Sequence, residues 1–246
     1  LASFDGIASK FDENIYGTTK GKLRHKLLCH YLSDFLMQPP LRVADVGGGT
    51  GVMALEFAKR GHTVFNVDIS KDALDIAKER LAGFKNASVL QCSLSEWTGS
   101  PDLIICHAVL EWLPEPEEPI RHLWEQLPAG GQLSLSFFNY HAALFNNAIY
   151  GNFDYIERGM RVKNQVRLNP KFPHKPEVIM AVIEQLAGAE IKHSAGIRCF
   201  HDYMKDKERQ SASFDDIFAL EVRFGKTPPY KEFGKYMHYI VQKVSD

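Results

Sequence analysis

Two hydrophobic rhythms alternate along the chain. Short apolar runs at Leu41–Val46, Thr63–Val67, Ala87–Gln91, Asp102–Cys106 and Gln132–Phe138 predict strands. Between them apolar residues recur every three or four positions: Met53, Ala54, Phe57, Ala58; then Ala73, Leu74, Ala77, Leu81; then a stretch from about Pro116 to Leu127. That spacing puts one apolar stripe on a helix, and Ser70 stands where a helix N-cap belongs. Strands without polar alternation, separated by helices, predict a parallel sheet covered on both faces. Residues 1–37 precede this core as a helical arm with one break. Phe4, Ile7, Ala8 and Phe11 form a short amphipathic piece, residues 14–21 are turn-rich, and Leu23, Leu27, Leu28, Tyr31, Leu32, Phe35 and Leu36 return to helical spacing. After Asn139 the alternation stops, and residues 139–174 read as an inserted cap that begins with a helix over Tyr140–Tyr150. A helix over Glu177–Ala187, a strand over Ile191–Phe200, a helix over Ser213–Phe224 and a strand over Phe233–Lys243 follow, which makes seven strands in a single α/β domain spanning 1–246.

Composition narrows the class. With 246 residues, 45% hydrophobic and 24% charged, the chain has the make-up of a soluble globular domain with a sizeable core. A net charge of −1 leaves no global attraction to nucleic acid, so a basic surface must be local. Cys29, Cys92, Cys106 and Cys199 are scattered, without the paired spacing of a zinc site or a disulfide framework, and read as reduced thiols of a cytoplasmic protein. No apolar run has the length of a membrane span.

The chemistry concentrates at the end of the first strand, in Asp45-Val46-Gly47-Gly48-Gly49-Thr50-Gly51. A strand, a glycine turn and a helix N-terminus form the place where open α/β sheets bind nucleotide-like ligands. The spacing G-G-G-x-G differs from the dinucleotide pattern, and Asp45, just before the glycines, would repel a pyrophosphate while suiting a sulfonium and an α-amino group. Asp68 closes the second strand about 20 residues after the first glycine, the separation at which an acid accepts from ribose hydroxyls. Together these features resemble the class I S-adenosylmethionine-dependent methyltransferases, whose Rossmann-like sheet the element order matches. A nicotinamide dehydrogenase is disfavoured by the glycine spacing. From Arg158 to Lys175 the chain carries Arg158, Arg161, Lys163, Arg167, Lys171 and Lys175 with no acid among them, a local field suited to phosphates, and Tyr150, Phe153, Tyr155 and Phe172 lie near enough in sequence to stack bases.

Blocks along the chain sharpen the resemblance. Lys10-Phe11, Asn14-Ile15-Tyr16-Gly17-Thr18-Thr19-Lys20-Gly21, Leu23-Arg24, His107-Ala108-Val109-Leu110-Glu111-Trp112, Gly151-Asn152-Phe153-Asp154-Tyr155, Gly159-Met160 and Phe200-His201-Asp202-Tyr203 are similar to those of the bacterial tRNA 5-carboxymethoxyuridine methyltransferases. The resemblance implies methyl esterification of the carboxylate of that wobble uridine, with the tRNA anticodon loop as partner and S-adenosylmethionine as methyl donor. It implies that Arg24, Gly47, Gly48, Asp68, Leu94, Ser95 and His107 contact the cofactor. Competing readings remain for single residues: Arg24 as a solvated helix arginine, Leu94 as a packing residue, Ser95 as a turn cap. Thr50 stands where some relatives carry an acid, and the basic insert spreads its charges instead of gathering them in one lysine run.

A carboxylate nucleophile is ionised at neutral pH and needs no general base and no metal. The protein must instead bring the oxygen to within roughly 3 Å of the methyl carbon and hold the anion with a cation. Arg198, with His201 and Tyr203, is the expected carboxylate holder; Tyr16 and Lys20 shape the mouth; Arg158, Arg161, Lys163 and Arg167 meet the tRNA. The rival readings are a methyltransferase of small carboxylic acids, with the insert as a lid, and a binding module with a vestigial cofactor fold.

Overall fold

The computed structural model describes residues 17–160 and 170–244. Among them, helix α1 (Thr19–Tyr31) starts where the Thr18 side chain accepts from the Gly21 amide, and a helical turn, Ser33–Leu36, follows it. Then come β1 (Arg42–Val46), α2 (Val52–Ala58), β2 (Thr63–Asp68), α3 (Lys71–Leu81), β3 (Ala87–Gln91), β4 (Leu103–His107), α4 (Glu117–Glu125) and β5 (Gln132–Phe138). Ser70 caps α3 through Ala73, as its position before the apolar stripe predicts. The chain continues through α5 (Tyr140–Ile149), α6 (Phe153–Glu157), α7 (Pro176–Glu184), β6 (Ala189–Ile197), α8 (Lys207–Ala212), α9 (Phe214–Phe224) and β7 (Tyr236–Lys243).

The described strands form one sheet in the order β3-β2-β1-β4-β5-β7-β6. The first five pair in parallel, while β7 runs antiparallel between β5 and β6. In β4, Leu103, Ile104, Ile105 and Cys106 are fully buried, because helices cover both of its faces. Val43, Leu103, Ile105, Ala195, Ile197 and Ile240 face α1, α2 and α9. Ala44, Ile104, Leu133, Leu135, Tyr239 and Val241 face α4 and α7. Each fully buried Leu or Ile contributes about 1.5–3 kcal/mol, so the two layers fix the strand register and, with it, the positions of the strand ends.

Two strand ends differ from the periodicity by three residues each. Strand six stops at Ile197, because Arg198 takes a left-handed conformation (φ 62°) that breaks the ladder. Arg198, His201 and Tyr203 therefore sit on a turn, the last two in a short 3-10 turn, His201–Tyr203. The last strand starts at Tyr236, since Tyr230–Phe233 forms another 3-10 turn. Two short helices, α6 and α8, had no periodic signal long enough to read. Tyr16, Arg161, Lys163, Arg167 and the first part of the predicted arm lie outside the described residues.

The turn after β6 is held from beneath. The buried Glu221 carboxylate of α9 accepts from the amides of Cys199 (2.6 Å), Phe200 (2.9 Å) and His201 (3.1 Å). Glu221→Ala leaves three amides without this acceptor, and an unsatisfied buried donor costs about 1–3 kcal/mol. We expect a lowered urea midpoint and a loss of catalytic rate that exceeds the loss of cofactor affinity, measured by equilibrium unfolding and calorimetry. Glu221→Gln, which keeps one acceptor oxygen, should fall between the two.

Candidate active site

Asp68 and His107 close β2 and β4, and the glycine loop and Arg198 follow β1 and β6, so these residues lie at the C-terminal ends of the strands. The glycine loop leaves β1 with the Gly47 and Gly48 amides donating to the Val67 carbonyl (2.7 and 3.1 Å), which docks the turn on β2. Gly47 takes φ 76°, and a Cβ there would meet the Val109 side chain. A Cβ at Gly48 would overlap Asn66 Oδ1 and crowd the Asp45 carboxylate at 2.8 Å. Gly48 has no room for a side chain because Asn66 and Asp45 fill the space beside it.

Asp68 serves this loop directly. Its Oδ2 accepts from the Gly49 amide (2.9 Å) and its Oδ1 from the Ser70 amide (2.8 Å). The Asn66 amide donates to the Gly49 carbonyl (3.1 Å). Asp45 is handled differently. It is 3% exposed, and its Oδ2 has no hydrogen-bond partner among the described residues. Burial, reinforced by the charge of Asp68 and opposed by an amide bond from Ala54, pushes the Asp45 carboxyl up to about 7. The cleft beside it is lined by Arg24, His25, Leu28, Asp45, Gly47, Gly48, Met53 and His107. His107 Nε2 lies 2.8 Å from Ser134 Oγ, while Nδ1 is buried without a partner. Burial first, then Arg24 and His25, lower the His107 pKa to about 3, so the ring is neutral. The cleft thus holds one guanidinium, a buried carboxyl oxygen and a neutral imidazole nitrogen, which fits the carboxylate and ammonium of an amino-acid group.

Leu94 and Ser95 sit on the loop after β3. Leu94 packs half-buried against the core under the sheet, and Ser95 is exposed with its hydroxyl 3.2 Å from that of Ser93. A second polar cluster lies across β4 and β5 from the glycine loop. The Arg24 and Arg198 guanidinium groups lie 5.3 and 5.5 Å from the centre of the buried Tyr236 ring. Arg198 donates to Asp202 (2.7 Å) and to the Lys20 carbonyl of α1 (3.4 Å), and its Nε has no partner. Asp202 also meets His201 Nδ1 at 2.8 Å. Burial opposes ionisation of Asp202, but Arg198, the His201 bond and Lys235 outweigh it and hold the carboxyl well below the usual range. Tyr203 donates its hydroxyl proton to the Phe233 carbonyl (2.9 Å), so the residue contributes its ring edge to Phe145 and Phe233.

The sequence reading passed over Glu111, Tyr236, Ser134 and His238. Glu111 is 1% exposed, its Oε2 has no partner, and burial pushes its carboxyl up to about 7, against the pull of Arg24. Its carbonyl accepts from Lys171 and Phe172 (3.1 and 2.9 Å), and His174 Nε2 lies 2.8 Å from the Leu110 carbonyl, so the segment that returns from the 139–174 region is pinned to the end of β4. The available signal was alternation: Ser134 and Ser136 fall on one face of a strand that must be covered on both. Lys20 and Arg158 are exposed. Among the described residues no helix is long and apolar enough to cross a membrane, and no group of three His, Cys, Asp or Glu could hold a metal ion.

Comparisons with known proteins agree with this geometry. A family profile described as a methyltransferase domain matches residues 21–172. The tRNA 5-carboxymethoxyuridine methyltransferase of Escherichia coli (strain K12) is 39% identical over 251 residues, covering 98% of this chain and 96% of that protein. A ubiquinone biosynthesis O-methyltransferase of Xanthomonas oryzae pv. oryzae is 33% identical over 135 residues, covering 52% and 55%. Among solved structures, magnesium protoporphyrin IX methyltransferase from Synechocystis PCC 6803 with bound SAH superposes with a TM-score of 0.60 at 22% identity, covering 78% of this chain and 88% of that one.

Two outcomes follow for S-adenosylmethionine binding by titration calorimetry. Gly48→Ala forces Asp45 or Asn66 to move, and affinity should fall at least about tenfold while the fold persists by circular dichroism. An Asp45 that holds an ammonium group must be ionised, and burial raises this carboxyl to about 7, so binding at that carboxylate would expel a proton. Affinity should therefore rise from about pH 6 to 7.5, with at most about tenfold per unit, and Asp45→Asn should flatten the profile.

Proposed function

This chain belongs to the tRNA 5-carboxymethoxyuridine methyltransferase family, and from that premise we propose that it is a cytoplasmic enzyme that methylates the carboxylate of 5-carboxymethoxyuridine at the tRNA wobble position, forming the methyl ester. S-adenosylmethionine, when bound, supplies a methyl group on a positively charged sulfur. The observation that carries the reading is the pair of guanidinium groups on one Tyr236 ring. The reaction brings together two carboxylates, one on the methyl donor and one on the substrate, and the site offers one arginine for each.

Arg24, in the cleft with the glycine loop, takes the donor's carboxylate; Asp45 and His107 accept from its ammonium; Asp68, Leu94 and Ser95 serve the nucleoside end. Arg198, oriented by Asp202 and the Lys20 carbonyl, presents Nε to the substrate carboxylate, and His201 shares Asp202 with it; Arg198 Nε and His201 Nε2 are both buried without a partner among the described residues. Tyr203 supplies a ring wall. The substrate oxygen attacks as an anion, so the chain's residues hold and aim it and move no proton. The ester product has lost its charge, and with it the attraction to Arg198, so turnover weakens the product's own hold on the site.

The anticodon loop reaches this rim over residues 139–174, acting as a cap. Lys20, Arg158 and, outside the described residues, Tyr16, Arg161, Lys163 and Arg167 face its backbone in this reading. Phe145, Ile149, Tyr150 and Phe153 are 42–64% exposed, enough apolar surface for unpaired bases to stack on.

The test is an incubation of purified protein with methyl-labelled S-adenosylmethionine and total tRNA that lacks this modification, followed by nucleoside digestion. Label recovered in a base-labile ester of 5-carboxymethoxyuridine is the expected result. Turnover of free small carboxylic acids with no label in tRNA would overturn it. Arg198→Gln should lower kcat/KM for tRNA by about 10–100-fold with cofactor affinity unchanged, the worth of a charge-assisted hydrogen bond. Charge reversal at Arg161, Lys163 and Arg167 should weaken tRNA binding alone; equal loss of cofactor binding would mean those residues are structural.

A further inference from the structure

The face of the sheet beneath α1 carries a row of buried polar side chains, of which the reaction above uses His107 alone. His238 on β7 is fully buried, and its Nε2 lies 2.9 Å from Ser134 Oγ. The same oxygen is 2.8 Å from His107 Nε2. The row continues to His193 on β6, whose ring centre is 4.9 Å from that of His238, and to Tyr31 of α1, stacked on His238 at 5.8 Å and 17°. Burial keeps all three histidines neutral, with His107 lowered to about 3, His193 to about 4 and His238 well below its ordinary value; Arg24, His25, His30 and Lys226 add to this from the elements packed around them.

A serine hydroxyl has one proton to donate, and here two imidazole nitrogens share it. One of them must accept from the hydroxyl, and the other must donate to it. The three groups therefore form a directed chain with two possible senses. In one, His107 carries its proton on Nε2 and donates to Ser134, which donates to His238; His238 then carries its own proton on Nδ1, which has no partner among the described residues, and His107 Nδ1 is a bare lone pair. In the other sense Nδ1 carries the proton. His107 lines the cofactor cleft beside Arg24, and Nδ1 is the ring nitrogen with no partner. A neighbouring guanidinium favours a lone pair over an N–H there, and an ammonium group can only donate.

We propose that Ser134 and His238 are positioning residues that lock His107 in its Nε2–H tautomer, so that Nδ1 accepts from the α-ammonium group of the methyl donor. The proposal rests on the placement of the donor's amino-acid end in this cleft. His238 touches no ligand; it acts by giving the Ser134 proton somewhere to go. Without it the hydroxyl turns back to His107 Nε2, forces the proton onto Nδ1, and sets an N–H against an ammonium.

The test reads the tautomer directly, by 15N chemical shifts of the histidine rings in the full-length protein without ligand, alongside S-adenosylmethionine affinity by calorimetry. In the wild type, His107 should show a protonated Nε2 and a bare Nδ1. His238→Phe, which keeps an aromatic ring in the core, should switch His107 toward Nδ1–H and weaken affinity about tenfold or more, the scale of a lost charge-assisted bond. Ser134→Ala should leave a mixture of tautomers and a smaller loss, whereas Ser134→Thr, which retains the hydroxyl, should keep the wild-type pattern. A wild-type His107 that is Nδ1–H, or a His238→Phe protein with unchanged tautomer and affinity, overturns the lock. His107→Ala separates the premise: wild-type affinity in that variant would remove the cleft placement itself, while weakened affinity there with normal His238→Phe affinity would sink the lock alone.

Discussion

A carboxylate taken out of water must be given hydrogen bonds or a counter-charge, and this rim withdraws five of them from solvent. Three are satisfied within the chain: Asp68 by the Gly49 and Ser70 amides, Glu221 by three consecutive amides, Asp202 by Arg198 and His201. These fix the glycine loop and the turn after β6. The other two, Asp45 and Glu111, each keep an oxygen with no partner among the described residues, and both are pushed up to about 7. The division of labour is physical. The three satisfied carboxylates build the frame, whereas Asp45, which lines the cleft, keeps one oxygen without a partner among the described residues.

The strand ends also carry backbone strain where it is useful. Ala108 and Arg198, both non-glycine, take φ of 59° and 62° immediately after β4 and β6. Such conformations persist only where the surroundings over-determine them. Around Arg198 the reason is visible, since Glu221 binds the next three amides and Asp202 binds the guanidinium. The strained residue turns the chain off the sheet, and its side chain meets α1 at the Lys20 carbonyl. Helix α1 and the far edge of the sheet thereby meet at this arginine as well as at Tyr31 and His193.

Much of this was legible in the sequence. The first five strands, the Ser70 cap and the glycine loop follow from periodicity and turn chemistry, because parallel strands buried on both faces leave continuous apolar runs. Asp45 stood out just before the glycines and Asp68 at the end of the second strand, and the structure puts both against the glycine loop. What periodicity could not deliver was the interior polar row. Ser134, Ser136 and His238 sit in strands that read as ordinary alternation, and alternation normally means a wet face. Only the cover supplied by α1 makes those positions buried, and that cover is a tertiary fact. Glu111 escaped for a related reason: it lies in a short turn whose burial depends on the 170–174 segment returning to it. Arg198 was legible as chemistry but not as geometry, since nothing local announces a left-handed residue in mid-strand.

The placement of β7 has a consequence in time. It is the last described strand in the chain, yet it lies between β5 and β6, and it carries Tyr236 and His238. Ser134 and His238 meet across 104 positions of sequence. During synthesis the glycine loop and both arginines would leave the ribosome before the Tyr236 ring that both arginines approach. A nascent chain would have the parts of a donor site without the wall that completes it. The inserted strand ties the site to a late segment, and the chain acquires its site only after β7 has been translated.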